Sequence, residues 1–241
     1  MKRRNLVVAA VVIGIALVCS SCIITVAHPI TGNGRVVTSA RAVSAFEKIH
    51  ISGSAKVRFH ESQEYQVSVT VDSNLDEYTE VYVNGNVLNI KPKNGFTCSF
   101  TKLLVDVYCP VVTGVSVSGS GHFEGIDTII TPVFTVDISG SGKIGGTFEC
   151  GTFSAKIAGS GKITAGGNSK HSNFSISGSG SFFGDTLSVN TAVVKISGSG
   201  NAYVNVTDSL KADISGSGAI YYRGNPQVDS KISGSGRVKK I

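Results

Sequence analysis

Ile176-Ser177-Gly178-Ser179-Gly180 is followed in the same register by Ile196-Ser197-Gly198-Ser199-Gly200, Ile214-Ser215-Gly216-Ser217-Gly218 and Ile232-Ser233-Gly234-Ser235-Gly236. Val117-Ser118-Gly119-Ser120-Gly121, Ile138-Ser139-Gly140-Ser141-Gly142 and Ile157-Ala158-Gly159-Ser160-Gly161 precede it. The seven words lie 21, 19, 19, 20, 18 and 18 residues apart. A fixed period near 20 residues marks one supersecondary unit stacked on copies of itself. Aligning the words aligns their flanks. The residue before each first aliphatic runs Ser116, Asp137, Lys156, Ser175, Lys195, Asp213, Lys231, and the two residues after each word run from His122-Phe123 and Lys143-Ile144 to Ala219-Ile220 and Arg237-Val238. Side chains alternate across a strand, so the aliphatic columns point inward and the charged columns outward. On this parity both glycines of each word face inward and both serines outward.

Columns of this kind arise when coils stack about 4.8 Å apart as parallel strands. Asp137 then adjoins Lys156, and Lys195, Asp213 and Lys231 follow one another with alternating sign, which avoids stacked like charges on an exposed face. A coil of 18–21 residues has room for about three short strands, with corners at Gly145-Gly146, Gly166-Gly167-Asn168 and Gly224-Asn225-Pro226. The expected fold is all-β: a single-stranded β-helix, or β-solenoid, right-handed by the rule for parallel crossovers. The inward glycines let the strand bend or the opposite wall approach, and Phe134, Phe148, Phe153 and Phe174 are available to fill the interior. Residues 116–241 form this repeat region.

Residues 41–115 read as a less regular β segment continuous with the stack. Tyr65 to Val71 alternates with period two. Asn84-Gly85 between alternating runs is a hairpin signal, and Leu103 to Tyr108 is a strand stopped near Pro110. Ile51-Ser52-Gly53-Ser54-Ala55 is a degenerate copy of the repeat word. Residues 23–40 read as a tether.

The beginning of the chain is a different kind of segment. Lys2-Arg3-Arg4 precedes an apolar stretch from Leu6 to Val18, 13 residues long and too short to span a bilayer comfortably. Ser20-Ser21 then precedes Cys22. Residues 1–22 thus resemble a bacterial lipoprotein signal, with Cys22 as the acylated residue and a membrane reached through that lipid. Cys19 departs from the pattern, in which leucine is usual there, and leaves cleavage without lipidation, and after it an uncleaved anchor, as the alternatives. Localisation in the bacterial cell envelope, outside the cytoplasm, follows. Cys98 and Cys109, ten intervening residues apart, are then candidates for a disulfide, with Cys150 left over.

Function is less legible. Formal net charge is +6, and without Lys2, Arg3 and Arg4 it is 19 basic against 16 acidic. That balance, with no basic run interleaved with aromatics, argues against nucleic acid. Gly140-Ser141-Gly142-Lys143-Ile144-Gly145 matches a dinucleotide-binding pattern, but it lies inside a repeat with no helix to receive a phosphate. The acidic residues Asp137, Glu149, Asp185, Asp208, Asp213 and Asp229 are offset from coil to coil, unlike the clustered carboxylates of β-helical lyases and hydrolases. No catalytic residue, metal ligand or cofactor is expected. Ser179, Ser199 and Ser217 form a candidate binding face, against a purely structural role in packing.

The lipoprotein-like leader, the β segment from Phe46-Glu47-Lys48-Ile49 to Cys109-Pro110 and the ladder of ISGSG words resemble the putative auto-transporter adhesin family, head GIN domain, over residues 43–236. The resemblance implies a β-helical extracytoplasmic domain with no established catalytic residues. The expectation is a non-enzymatic, lipid-anchored envelope adhesin or scaffold whose partners are envelope glycans or surface proteins. A carbohydrate-binding or carbohydrate-active protein is the alternative.

Overall fold

The computed structural model describes residues 29–241. The leader, with Cys22 and the apolar stretch, lies outside the described residues. The repeat builds a β-solenoid of about seven turns. Each coil has three walls. The leading wall enters the ISGSG corner, the trailing wall leaves it, and a short back wall closes the coil. Strands Ile129–Gly140, Lys143–Gly159, Lys162–Gly178, Ser181–Gly198 and Asn201–Gly216 bend through the softer corners without a break. Pairing between coils is parallel, and it keeps the register of the words: Ile138 meets Ile157, Ile157 meets Ile176, and Ile176 meets Ile196. Asp137 adjoins Lys156, and Lys195, Asp213 and Lys231 follow in one column. Ile176 and Ile196 are each 2% exposed.

The glycines divide the labour differently from the simple parity. The second glycine is buried under the previous coil's aliphatic; a Cβ on Gly180 would lie 2.5 Å from Ile157 Cγ2. The first glycine does not face inward. Gly178 has φ +114° and turns the corner, and a Cβ there would lie 2.6 Å from the Gly159 carbonyl oxygen. That oxygen accepts the Ser179 amide at 3.0 Å, so it cannot step aside without losing the bond between coils. Both serines do face outward. The interior is filled by aromatic rings, Phe134, Phe148, Phe153, Phe174 and Phe182, with centroids 4.1–6.3 Å apart. Gly184 makes room for one of them, since a Cβ there would strike the Phe182 ring at 2.3 Å.

Residues 48–61 form the first full corner of the stack, with Ile51, Ser52 and Gly53 beside Val117, Ser118 and Gly119. Val87–Pro92 and Leu103–Cys109 lie below them, also parallel. Residues 93–102 loop out in place of a corner. Ala55, buried, stands where later corners have a second glycine, with Ile90 in register under Ile51. The stack is then capped by antiparallel strands. Gln66–Asp72 lies beside Leu103–Cys109, and Thr79–Asn84 beside Val87–Pro92. The latter hairpin turns on Gly85-Asn86 rather than Asn84-Gly85, because only Gly85 has positive φ, at +60°.

Two expectations are corrected here. The described part of the 23–40 segment is not a tether: Ile30–Thr31 pairs with Cys98–Ser99, and Val36–Arg41 adds antiparallel to Gln66–Asp72. Asp72 locks that connection. Its buried carboxylate accepts the Gly34 amide at 3.0 Å, the Thr101 amide at 2.9 Å and the Thr101 hydroxyl. The Thr101 hydroxyl, ahead of the two amides, holds this carboxyl below its usual range. Nor does a Cys98–Cys109 disulfide form; Cys98, Cys109 and Cys150 are free thiols. Cys98 belongs to the small outer pair of strands, whereas Cys109 ends a buried strand with its Sγ toward the Val111 carbonyl at 3.7 Å.

The far end of the stack differs from the capped end. The last leading-wall strand, Gln227–Ser233, is exposed along its whole length.

Candidate functional site

Outward-pointing residues of the leading wall form three adjacent columns. Asp137, Lys156, Ser175, Lys195 and Asp213 make the first; Thr135, Ser154, Asn173, Val193 and Lys211 make the second; Val133, Thr152, His171, Thr191 and Ser209 make the third. The middle column carries mainly short side chains between longer ones, because register places each short residue over another. The result is a groove of about 310 Å³ lined by Thr135, Asp137, Ser154, Lys156, Asn173, Ser175 and Lys195 and, between them, by the apolar Val136, Ala155, Phe174 and Val193. Two further hollows, about 160 Å³ and 450 Å³, continue it toward the capped end and share Thr135 with it. The second of these opens beside Pro132 and Val133. Val133 and Ile130 nearby are 51% and 67% exposed. The wall therefore offers hydroxyl, amide, ammonium and carboxylate groups in sequence along the solenoid axis, ending at an apolar rim.

Ser179, Ser199 and Ser217 lie outward at successive corners, as expected, at the edge of this wall rather than in its groove. It is their backbone amides that tie the coils, donating to the carbonyls of Gly159, Gly178 and Gly198 at 2.9–3.0 Å.

On the leading wall the carboxylates do not assemble into a glycosidase-like pair. In the Asp137 column the next acid is Asp213, four strands away. At about 4.8 Å per strand that is about 19 Å, well beyond the ~5–9.5 Å at which two carboxyls act on one glycosidic bond. Elsewhere Glu149 accepts from Asn168 at 2.9 Å and Asp208 from Asn190 at 3.2 Å, so each is used locally. His50 contacts two serines, Ser116 Oγ from Nδ1 at 2.7 Å and Ser52 Oγ from Nε2 at 3.1 Å. No carboxylate orients this histidine, so it lacks the third member of a nucleophilic triad. Asp106 is the most constrained acid on the trailing wall. Burial pushes its carboxyl up, but paired bonds from Arg58 at 2.6 and 2.8 Å, with His60 behind them, hold it below the usual range. Among the described residues no group of three or more His, Cys, Asp or Glu side chains could hold a metal ion.

One feature escaped the reading of the columns. Phe183, Tyr203 and Tyr221 occupy one position three residues past successive words and stack outside the trailing wall, with centroids 5.1 and 4.9 Å apart and planes within 14° of parallel. Lys162 covers one end of the stack at 4.3 Å and Arg237 the other at 5.6 Å. Carrying the column comparison one residue further would have found it. Every ring face is taken by a neighbour or a cation, so this ladder braces the wall instead of offering a free platform to a sugar. Among the described residues no helix is long and apolar enough to cross a membrane.

Comparison with known proteins agrees with this architecture. A crystal structure described as a putative lipid binding protein from Parabacteroides distasonis is 27% identical, with a TM-score of 0.74 over 88% of this chain and 99% of that one. A putative adhesin from the same species is also 27% identical, with a TM-score of 0.71 over 88% and 99% of the two chains. A putative adhesin from Bacteroides fragilis, 21% identical, shares the fold with a TM-score of 0.84 over 88% and 100%. No curated protein matches. The model of the family described as putative auto-transporter adhesin, head GIN domain, matches residues 45–226, and the chain belongs to that family.

Proposed function

We propose that the chain is a non-enzymatic envelope protein, anchored outside the cytoplasm by a lipid on Cys22, whose leading wall is an adhesive or scaffolding surface. The observation that carries this reading is the groove running along successive coils from Thr135 to Lys195, in which polar side chains alternate with an apolar lining and exposed Val133 and Ile130 lie at the capped end. A rigid solenoid binds by repetition: each coil adds a weak contact, and stacking pre-organises them so that little entropy is lost on binding. The family and the 27%-identical adhesin-like structure support the same role. Envelope glycans with acidic groups, or polar surface proteins, fit the ammonium groups of Lys156 and Lys195 beside the hydroxyls and amide. Against a catalytic carbohydrate-active role of this wall stands the separation of its carboxylates, Asp137 and Asp213. The serines at the corner are structural.

The test is a pull-down from cell envelope, together with a glycan array, using the chain from residue 23. Lys156→Glu with Lys195→Glu should abolish capture. The triple variant Ser179→Ala, Ser199→Ala, Ser217→Ala should keep it and lose only about 1 kcal/mol of stability. Loss of capture in a folded serine variant would move the site to the corner. For the anchor, a fatty-acid probe should label the full chain, and Cys22→Ala should remove the label; persistent labelling would refute lipidation at that residue.

A further inference from the structure

The strand Gln227–Ser233 pairs with the coil before it through Ser209–Ser215, and among the described residues nothing pairs with its other edge. Its inward residues continue core columns: Val228 follows Leu210 and Ile232 follows Ile214, yet Val228 and Ile232 are 36% and 42% exposed where their predecessors are fully buried. Solenoids end in polar caps, and open strand edges are covered or blunted, because unpaired amides over an apolar interior recruit another strand. The opposite end of this stack has such a cover in its antiparallel strands. This end exposes hydrogen-bonding groups and core aliphatics together.

The sequence of the edge says which strand fits it. Val228-Asp229-Ser230-Lys231-Ile232 is self-complementary when read antiparallel about Ser230. A two-fold axis through Ser230 puts Asp229 opposite Lys231 of the second copy, Lys231 opposite its Asp229, and Val228 opposite its Ile232. Neighbouring registers fail. Shifting the axis to Asp229 or Lys231 sets two like charges face to face, and a one-residue slip would set outward side chains against inward ones. The Ser230 register also continues a pattern already in the chain. Lys211 adjoins Asp229 and Asp213 adjoins Lys231, so across the axis both ladders keep alternating in sign without a break.

We infer that two copies of this chain join tail to tail, their Gln227–Ser233 strands pairing antiparallel about a two-fold axis at Ser230. The dimer is isologous and closes on itself, with both Gln227–Ser233 edges paired. It runs the two leading walls into one continuous face and buries the end aliphatics of both copies.

Light scattering after size exclusion of the full chain in mild detergent measures the mass directly, with circular dichroism to follow the fold. The wild type should run as a dimer. Asp229→Lys, which places four lysines together at the axis, should run as a monomer with an unchanged spectrum. Asp229→Lys combined with Lys231→Asp restores opposite charges across the axis and should restore the dimer. Independently, Ser230→Cys should cross-link to its own copy on mild oxidation to a degree that the unsubstituted chain does not, because facing residues in a pair lie about 4.5–5.5 Å apart. A monomeric wild type would overturn the inference. So would a dimer that survives Asp229→Lys, or one in which Ser230→Cys does not cross-link.

Discussion

Replacing Gly198 by alanine tests the corner more sharply than any change to a serine. Gly198 has φ +122°, and an ideal Cβ would lie 2.6 Å from the Gly178 carbonyl oxygen and 3.2 Å from its carbon. The oxygen is not free to move, because it accepts the Ser199 amide at 2.9 Å. Two costs therefore act together. An alanine in this glycine-only region of backbone space costs about 1–3 kcal/mol, and forcing a methyl group into packed backbone costs about 1–3 kcal/mol more. A total near 3–4 kcal/mol is expected. For a domain of this size about 2–4 °C is lost per kcal/mol, so the melting temperature should fall by about 10 °C. Ser199→Ala, one residue away and pointing to solvent, should stay within about 0.5 kcal/mol. The assay is thermal and urea unfolding followed by circular dichroism, with both variants in parallel. Because each coil touches only its neighbours, the glycine variant should also separate melting of the coils after 198 from the rest. An alanine variant that melts within about 2 °C of the wild type would show that the corner does not depend on the missing side chain.

Ile196→Asp should destabilise the domain by about 3 kcal/mol or more, since it places an unpaired charge in the dry aliphatic column; an unchanged melting temperature would mean that Ile196 does not face the interior. The Asp106–Arg58 pair gives an acid limb of defined sign. The carboxyl is held below its unfolded value of about 3.9, so its contribution is complete above that pH and is lost as pH falls through the lower, folded value. Melting temperatures measured from pH 7 to pH 3 should drop more steeply for the wild type than for Asp106→Asn, and equal slopes would remove Asp106 from the acid response.

The repetition of ISGSG was enough, without any coordinates, to establish stacked parallel coils, their register, the buried aliphatic column and the alternating charges beside it. Register follows from repetition because a slip of one residue would turn every buried side chain outward. The degenerate word at Ile51–Ala55 was legible for the same reason. Other features depend on what lies across space from a residue, which periodicity does not carry. Alternation assigned both glycines of each word to the interior, but the first is a corner, and only the position of the previous coil's carbonyl decides that. The 23–40 segment lacks a repeat, and its strand forms because Gln66–Asp72 offers it an edge while Asp72 anchors the loop. Cys98 and Cys109 are close in sequence, yet the strands that hold them belong to different layers. The groove from Thr135 to Lys195 is spread over residues about 20 apart, each unremarkable in its own coil. Stacking at the spacing of paired strands makes neighbours of them, so the chain's order specified the wall while the fold alone brought the binding surface together.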